Sequence, residues 1–405
     1  MKILISGCGV AGPALAYWLR RYGHEVVLVE RAPAVRTGGY MIDCWGVGYD
    51  VIEKMGLLPN LEDVAYDIAR TVLVDGRGRR VGGFSSGSLH HMTKGRVLTL
   101  RRGDLAASLY SALNGEIETI FDDAIVALDE SADHIRASFE HASPRNFDLV
   151  VGADGLHSRV RQLIFGEEER FAHHLGYRVA VAEVEGYRPR EEGSYVTYTM
   201  PGRQVSRISV RGGRTILLFI TRDDRPGDDL PANDEERRAT LSDKFRGGRW
   251  EVPSILAALE TATDIYFDRA DQIQMGQWSK GRTVLVGDAA ACASLMSGEG
   301  SGLAITEAYI LARELADCVT GSDLAGAMQR YEAQLRPFIA EKQKSAGSLA
   351  SAFVPKTRLG IFARDLATRA MAVRFLSDFL LGRELRKTIP LPEPALVDRG
   401  HDETY

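Results

Sequence analysis

The sequence predicts a mixed α/β fold, and three features along the chain support this prediction. Residues 1–30 place a glycine-rich turn and a helical stretch between two short apolar runs. Residues 177–221 contain several adjacent strand-like segments that are separated by glycine-rich turns, without helices between them. From Leu303 onward the pattern is almost wholly helical. A βαβ start, an antiparallel sheet and a helical tail together predict a Rossmann-like domain with an inserted sheet domain and C-terminal helices.

The N-terminal segment has the order of features that a dinucleotide-binding βαβ unit requires. The apolar run Lys2–Ser6 leads into Gly-Cys-Gly-Val-Ala-Gly at residues 7–12, a helix follows, and the next apolar run ends in Glu30. The glycines permit a tight turn and close approach to a pyrophosphate, while the helix N-terminus points free N–H groups at the anion. Glu30 lies where an acidic side chain accepts ribose hydroxyls, and its charge disfavours a 2′-phosphate. This site therefore suits FAD or NAD better than NADP.

The remaining elements follow in order along the chain. We expect a short helix over 51–58, a hairpin over 71–84 and a helix over 102–113. Buried strands are expected over 147–152 and 282–286, because both segments are apolar runs that end in turn residues. The nucleotide-binding domain is therefore predicted to be discontinuous, since the antiparallel segments separate its strands.

Composition excludes several classes of protein. The chain has 405 residues, of which 45% are hydrophobic and 26% are charged, and its net charge is −5. The lack of a basic excess argues against nucleic-acid binding. No run approaches about 18 apolar residues, so no transmembrane helix is expected, and the first apolar run is already a strand rather than a signal peptide. The four cysteines lack CxxC spacing and the histidines lack ligand spacing, which predicts reduced thiols, no metal site and a cytoplasmic protein.

Three further segments have the residue types that a flavin site needs. Arg102 stands at a helix entry, where a guanidinium reaches phosphate or flavin edges. Asp154 and Asp288 each follow a predicted buried strand, so both carboxylates are expected at the carboxyl edge of the sheet. The glycine-rich run 297–302 precedes a helix, whose first N–H groups favour the anionic edge of a reduced flavin. Each segment alone is also typical of an ordinary turn or cap, whereas four motifs in this order indicate a flavin site.

In combination these motifs resemble those of class A flavoprotein monooxygenases, the p-hydroxybenzoate hydroxylase-like group that includes tetracycline-inactivating enzymes. The matching pieces are GCGVAG with VLVER, RGDL, GADGLHSRVR, and GRTVLVGDAA followed by the glycine-rich loop. We therefore expect a Rossmann-like FAD-binding domain, an antiparallel-sheet substrate domain and a C-terminal helical segment. The predicted bounds are 1–75, 96–170 and 270–320 for the first, 76–95 and 171–269 for the second, and 321–405 for the third.

The resemblance also implies roles for the matched residues. It assigns FAD binding to Gly7, Gly9, Val10, Ala11, Gly12, Glu30, Arg31, Arg102, Asp154, Asp288, Gly298, Gly300, Ser301 and Gly302. Within this set the first glycines hold the pyrophosphate, Glu30 holds the adenosine ribose, and the later glycine-rich loop lines the isoalloxazine ring. It assigns no universal catalytic residue. Asp43, Trp45 and Met296 are candidates for the substrate pocket.

The chemistry that the resemblance implies is oxygen insertion into an organic substrate. NADPH or NADH reduces FAD, the reduced flavin captures O₂ as a C4a-hydroperoxide, and one oxygen atom passes to a (poly)cyclic aromatic or polyketide/antibiotic-like small molecule. The single dinucleotide motif implies that the nicotinamide donor docks transiently. Both hydroxylation and Baeyer–Villiger insertion fit the motifs. We expect a monomer or a weak homodimer.

Two positions depart from the pattern of the family. Ala291 follows GDAA where a histidine is common, and Leu295 stands where a proline usually begins the glycine-rich loop. Both departures concern the active face of the flavin rather than its binding. They leave an alternative in which the protein contains FAD but binds or sequesters a polycyclic compound without redox chemistry.

Other residues receive simpler interpretations. Tyr195 and Tyr198 are three apart on a predicted strand and should point to opposite faces, so at most one lines a pocket. Arg207 and Arg211 suit an acidic substrate but are interpreted as surface charges. The amphipathic segment 358–387 is predicted to be a helix packed across the domains with its arginines facing water, rather than a membrane-surface helix.

Overall fold

The computed structural model describes residues 1–36, 38–85, 87, 90–91, 93–187, 193–223, 230–319, 323–370 and 388–393. In this part of the chain the strands form four sheets. The α-helices are Ala11–Arg21, Gly46–Lys54, Leu58–Val64, Arg102–Ser111, Arg159–Phe165, Asp234–Phe245, Val252–Leu259, Asp288–Ala291, Gly300–Leu315, Leu324–Phe353 and Arg358–Ala370. Short 3₁₀ turns lie at Glu168–Arg170, Arg211–Gly213 and Leu295–Ser297. The mixed α/β fold class is therefore confirmed.

A six-stranded sheet contains the N-terminal βαβ unit. Its spatial order is Ser279–Lys280, Thr283–Leu285, Leu149–Gly152, Lys2–Ser6, Glu25–Glu30 and Glu118–Phe121. All neighbouring strands are parallel except the first two. The register sets Ser6 beside Gly152 and Gly152 beside Leu285. The loops that follow these three strands therefore begin at one edge of the sheet, where ligands bind in open α/β folds.

A seven-stranded sheet confirms the predicted antiparallel segment. Its spatial order is Tyr266–Ile273, Ala172–Glu185, Arg214–Arg222, Arg203–Val210, Ser194–Met200, Arg70–Val74 and Arg80–Ser85. All pairs are antiparallel except the one that joins Ser194–Met200 to Arg70–Val74. Two smaller sheets complete the fold: Arg145–Phe147, Ile135–Phe139 and Ile125–Glu130 form one, and Met41–Trp45 with Val97–Arg101 forms the other.

The two faces of the seven-stranded sheet have different neighbours because side chains alternate along a strand. One face carries Leu217 and packs against Phe245 and its neighbouring helices. The opposite face carries Ile208 and packs toward Met296 of the glycine-rich loop. Tyr198 belongs to the first cluster and Tyr195 to the second, so the prediction that they point to opposite faces is confirmed.

The strand pairing in the seven-stranded sheet disagrees with one predicted domain boundary. We expected residues 1–75 in the nucleotide-binding domain, but Arg70–Val74 pairs with Ser194–Met200 in the seven-stranded sheet. The two strands are parallel and about 120 residues apart in sequence. Nothing local in the sequence marks such a pairing, and the division into domains as a whole stays a prediction.

The helix Arg358–Ala370 departs from the prediction at several positions. Arg364 points inward and donates to Thr199 at 2.9 Å, whereas Leu359 is 76% exposed. Phe362 and Leu366 are also exposed. The interpretation is therefore wrong for these apolar residues and for Arg364, which polar atoms of the sheet hold, whereas Arg358 and Arg369 are exposed as expected. Residues 371–387 of the same predicted segment lie outside the described residues, and no helix in the described part is long and apolar enough to cross a bilayer.

Candidate active site

One large cavity lies between the parallel sheet and the seven-stranded sheet. Its volume is about 1450 Å³. At one end it is lined by the loops that follow Ser6, Gly152 and Val286, and at the other by side chains of the seven-stranded sheet. The residues predicted to bind FAD and those predicted to bind substrate therefore line one continuous cavity.

The first loop at this cavity has two glycine positions where no side chain fits. Gly7 has φ 106°, and a Cβ on it would lie 2.5 Å from the carbonyl oxygen of Ala153. A Cβ on Gly12 would lie 2.0 Å from the carbonyl oxygen of Gly7. Gly9 has no such conflict, since its nearest neighbour is an Arg102 nitrogen at 3.6 Å. Two glycines thus permit the turn, while the third leaves backbone open toward the cavity.

The carboxylate of Glu30 is held in place before any ligand binds. One oxygen accepts the backbone N–H of Cys8 at 2.8 Å, and the other accepts that of Ala32 at 2.9 Å. Each oxygen retains a lone pair for a hydroxyl donor. Arg31 lies beside it, exposed on the cavity wall. This arrangement fits the predicted contact with an adenosine ribose.

Asp154 caps a helix as well as lining the cavity. One carboxylate oxygen accepts the Ser158 hydroxyl at 2.5 Å, and the other accepts the N–H groups of Arg159 and Val160 at 2.8 and 3.1 Å. Burial raises the pKa of Asp154, against the effect of these hydrogen bonds. Next to it His157 lies between Asp268 and Glu168, whose hydrogen bonds raise the pKa of His157 to about 10. The turn therefore presents a fixed carboxylate and a cationic imidazole.

The turn at Asp288 depends on a residue that sequence analysis missed. Gly287 has φ 65°, and its N–H donates to the buried carboxyl of Glu307 at 2.7 Å. Burial raises the pKa of Glu307 to about 8. The available signal was an acidic residue inside the otherwise uncharged stretch 303–312 of the helix Gly300–Leu315, because a buried carboxyl requires a partner. Asp288 itself begins a short helix and faces the cavity.

The glycine-rich loop brings a helix N-terminus to the cavity. Gly298 has φ 70°, a left-handed conformation, and the helix Gly300–Leu315 starts two residues later. A Cβ on Gly48 would lie 2.6 Å from the Cα of Gly302, so the two helices pack by direct backbone approach. Lys342 pairs with Glu299 at 2.6 Å and ties the loop to the helix Leu324–Phe353. These contacts fix the first turn of the helix Gly300–Leu315, so that its free N–H groups lie at the cavity.

Most of the predicted site residues line this cavity. They are Gly7, Gly9, Val10, Ala11, Glu30, Arg31, Asp43, Trp45, Arg102, Asp154, Asp288, Met296, Gly298, Gly300 and Ser301. Gly12 and Gly302 do not line it, since both are occupied in close packing between elements. Of the two departures from the family pattern, Leu295 lines the cavity and Ala291 is buried outside it.

The cavity end remote from the nucleotide loop is mainly apolar. Its sheet-derived lining includes Tyr195, Thr197, Gln204, Ile208, Ile216, Leu218 and Ile220. Sequence analysis did not identify most of these residues, because period-two alternation marks two faces of a strand without telling which one meets a ligand. Arg207 is not a surface charge: it is 1% exposed and pairs with Glu251 at 2.7 Å on the other face of the sheet.

The residues present fit FAD. The glycine turn provides a cradle that a Cβ would fill, Glu30 provides a prearranged acceptor, and the cavity continues past Asp288 to a helix N-terminus. FAD needs these three features: a cradle for its pyrophosphate, an acceptor for its ribose hydroxyls and a helix N-terminus for its flavin.

Comparisons with known proteins point the same way. A family model described as an FAD binding domain matches residues 1–345. Rv1260, an uncharacterized protein of Mycobacterium tuberculosis, is 37% identical over 349 residues, which cover 84% of this chain and 91% of that protein. A flavin-dependent monooxygenase of Legionella longbeachae is 32% identical over 368 residues, covering 88% of this chain and 90% of the relative.

Solved structures share the architecture. The crystal structure of tetracycline destructase Tet(51) is similar with a TM-score of 0.80 and 28% identity, over 97% of this chain and 99% of that one. Klebsiella pneumoniae HpxO, complexed with FAD and uric acid, is similar in fold with a TM-score of 0.78 and 23% identity, over 95% and 96% of the two chains. This chain belongs to the family that carries this FAD-binding domain and is an FAD-dependent, class A flavoprotein monooxygenase.

Proposed function

We propose that the protein uses NADPH or NADH and O₂ to insert one oxygen atom into a (poly)cyclic aromatic or polyketide/antibiotic-like small molecule. The observation that carries this proposal is the continuity of the cavity, in which the FAD loops and the apolar sheet face line one space of about 1450 Å³. The apolar sheet face lies beyond the FAD loops and provides a place for a flat multi-ring compound beside the flavin. The similarity to tetracycline destructase Tet(51) supports the same class of substrate.

When bound, FAD supplies the activation of O₂ with electrons from the nicotinamide donor. The chain's own residues bind and orient the reactants. The glycine turn and Glu30 hold the adenosine and pyrophosphate end, whereas Asp288 and the first turn of the helix Gly300–Leu315 hold the other end. The apolar lining from the seven-stranded sheet keeps water away from the reaction, which prevents loss of the activated oxygen as H₂O₂.

A combined spectral, kinetic and mass measurement tests this function. Purified protein should show a flavin absorbance spectrum, and one compound in a panel of polycyclic phenols and tetracyclines should stimulate NAD(P)H consumption. The product of that compound should gain one oxygen atom by mass spectrometry. Bound flavin with tight binding of a polycyclic compound, but no stimulated NAD(P)H consumption, would instead support the non-redox binder.

A further inference from the structure

The substrate end of the cavity contains a carboxylate that no protein cation neutralises. Asp43 lies on the strand Met41–Trp45 and faces the cavity. One of its oxygens accepts the hydroxyl of Thr99 at 2.5 Å. In the part of the chain that the structure describes, no other hydrogen bond or ion pair engages this side chain. Its second oxygen is therefore available to a ligand.

In the described part of the chain no ion pair joins Asp43 to a cation, and two cations that line the same cavity pair with other carboxylates. Lys342 pairs with Glu299 at 2.6 Å, and Arg364 pairs with Asp365 at 2.7 Å. Arg102 approaches Gly9 in the nucleotide loop, at the opposite end. Burial raises the pKa of Asp43, the Thr99 hydroxyl lowers it, and no cation contributes. An apolar pocket with an unneutralised carboxylate favours a ligand that brings the positive charge.

Two aromatic residues, Trp45 and Tyr195, line the cavity near this carboxylate. Trp45 stands two positions along the same strand and also faces the cavity. Tyr195 approaches from the seven-stranded sheet, close enough for Asp43 to perturb its pKa. A carboxylate among aromatic rings is a combination that binds ammonium groups, by charge pairing and cation–π attraction together.

We propose that the substrate of this monooxygenase carries a protonated amine, which Asp43 binds with Trp45 and Tyr195 beside it. This inference rests on the proposed function, because it names a group on the molecule that the cavity receives. Asp43 acts as a specificity-determining residue: it anchors the amine and thereby fixes which ring carbon is presented to the flavin.

Matched pairs of probes test the proposal on the FAD-loaded protein at pH 7. Each pair differs by an amine: tyramine with tyrosol, tryptamine with tryptophol, and tetracycline with its de-dimethylamino analogue. Binding is read from the change in FAD fluorescence on titration. We expect the wild type to bind the amine of at least one pair about tenfold more tightly than its partner, which is about 1.4 kcal/mol. Asp43→Asn should reduce that preference to within about twofold by lowering affinity for the amine alone.

Two further variants separate the carboxylate from its surroundings. Asp50→Asn removes a surface carboxylate that pairs with Arg96 outside the cavity, and it should keep the wild-type preference. Thr99→Val removes the hydroxyl but leaves the carboxylate, so it should also keep the preference for amines. The proposal is overturned if the wild type binds no amine more tightly than its neutral partner, or if Asp43→Asn retains the preference.

The same samples report on the proposed function independently. Amine-selective binding without stimulated NAD(P)H oxidation would overturn the redox function and leave the Asp43 site standing. Stimulated oxidation by neutral compounds only, with a mass gain of one oxygen, would support the monooxygenase and overturn the amine site.

Discussion

The backbone N–H of Gly287 donates to a carboxyl oxygen of Glu307 at 2.7 Å, directly behind the turn that presents Asp288 to the cavity. Glu307 is 1% exposed, and burial, with a smaller contribution from Asp288, raises its pKa to about 8. The carboxyl is therefore neutral at pH 7. It holds the turn by a hydrogen bond without adding a second negative charge beside Asp288.

This pKa predicts that stability falls as the pH rises. A glutamate in the unfolded chain ionises near 4.5, whereas Glu307 in the folded protein ionises near 8. The folded state therefore binds more protons between these values, and the free energy of unfolding decreases through that window. The expected decrease is about 2 kcal/mol between pH 6 and pH 8. Glu307→Gln keeps an acceptor for Gly287 and should remove this decrease in denaturant unfolding at the two pH values. Glu314→Gln, on the same helix but paired with Arg330, should retain it. An unchanged slope in Glu307→Gln would contradict the assignment.

Two glycines of the first turn are predicted to matter for different reasons: Gly12 for folding and Gly9 for FAD binding. Gly12→Ala places a Cβ 2.0 Å from the carbonyl oxygen of Gly7, so we expect a lower melting temperature even without FAD. Gly9→Ala meets only an Arg102 nitrogen at 3.6 Å, an ordinary contact. The apoprotein should therefore melt like the wild type, while its affinity for FAD falls at least about tenfold, because the methyl occupies space meant for pyrophosphate. Normal FAD affinity in Gly9→Ala would show that the pyrophosphate lies elsewhere.

Asp154 has a structural and a functional role that one control separates. Asp154→Ala leaves three donors without their acceptor and should lower the free energy of unfolding by about 1–2 kcal/mol. It should also slow the reduction of bound FAD by NAD(P)H, measured by stopped-flow absorbance. Asp234→Ala removes a comparable carboxylate, which accepts from the backbone N–H groups of Asp264 and Ile265 and does not line the cavity. It should cost similar stability and leave FAD reduction unchanged; equal slowing in both variants would indicate a general effect of destabilisation.

The buried pair Arg207–Glu251 predicts a strongly non-additive response. Arg207→Met leaves a carboxylate of Glu251 without its cation in a partly buried site and should cost about 3 kcal/mol of stability. Adding Glu251→Gln removes the uncompensated charge and keeps an acceptor for the hydroxyl of Tyr187, so the double variant should recover at least half of the loss. Urea denaturation of the wild type and the three variants gives the coupling free energy. If the losses in free energy of unfolding are additive, the interaction between Arg207 and Glu251 contributes little to stability.

The nucleotide end of the site was predictable from the sequence because its geometry is local. The turn at Gly7 and the acid at Glu30 belong to one βαβ unit, whose spacing in sequence maps directly onto spacing in space. The carboxylates of Asp154 and Asp288 were predictable for a related reason, since each follows a continuous apolar strand of a parallel sheet.

The substrate end was less predictable because its residues come from distant segments. Thr99 and Tyr195 meet near Asp43 only through two sheets that join strands far apart in sequence. Arg207 and Arg364 read as solvated charges in the sequence, yet both are held by polar partners inside the fold. Whether an arginine faces water or an acceptor depends on what tertiary packing brings to it, and no local pattern contains that information.

The chain's linear order thus specified the α/β fold class, the FAD loops and the family, because glycine backbone freedom and apolar periodicity act over a few residues. Tertiary structure decided the pairing of Arg70–Val74 with the large sheet, the place of Glu307 behind Gly287, and the unneutralised carboxylate of Asp43. These features depend on contacts between segments that only the folded chain brings together. Folding also removes solvent from Asp43, and a carboxylate without solvent or a cation is costly unless a ligand pairs with it.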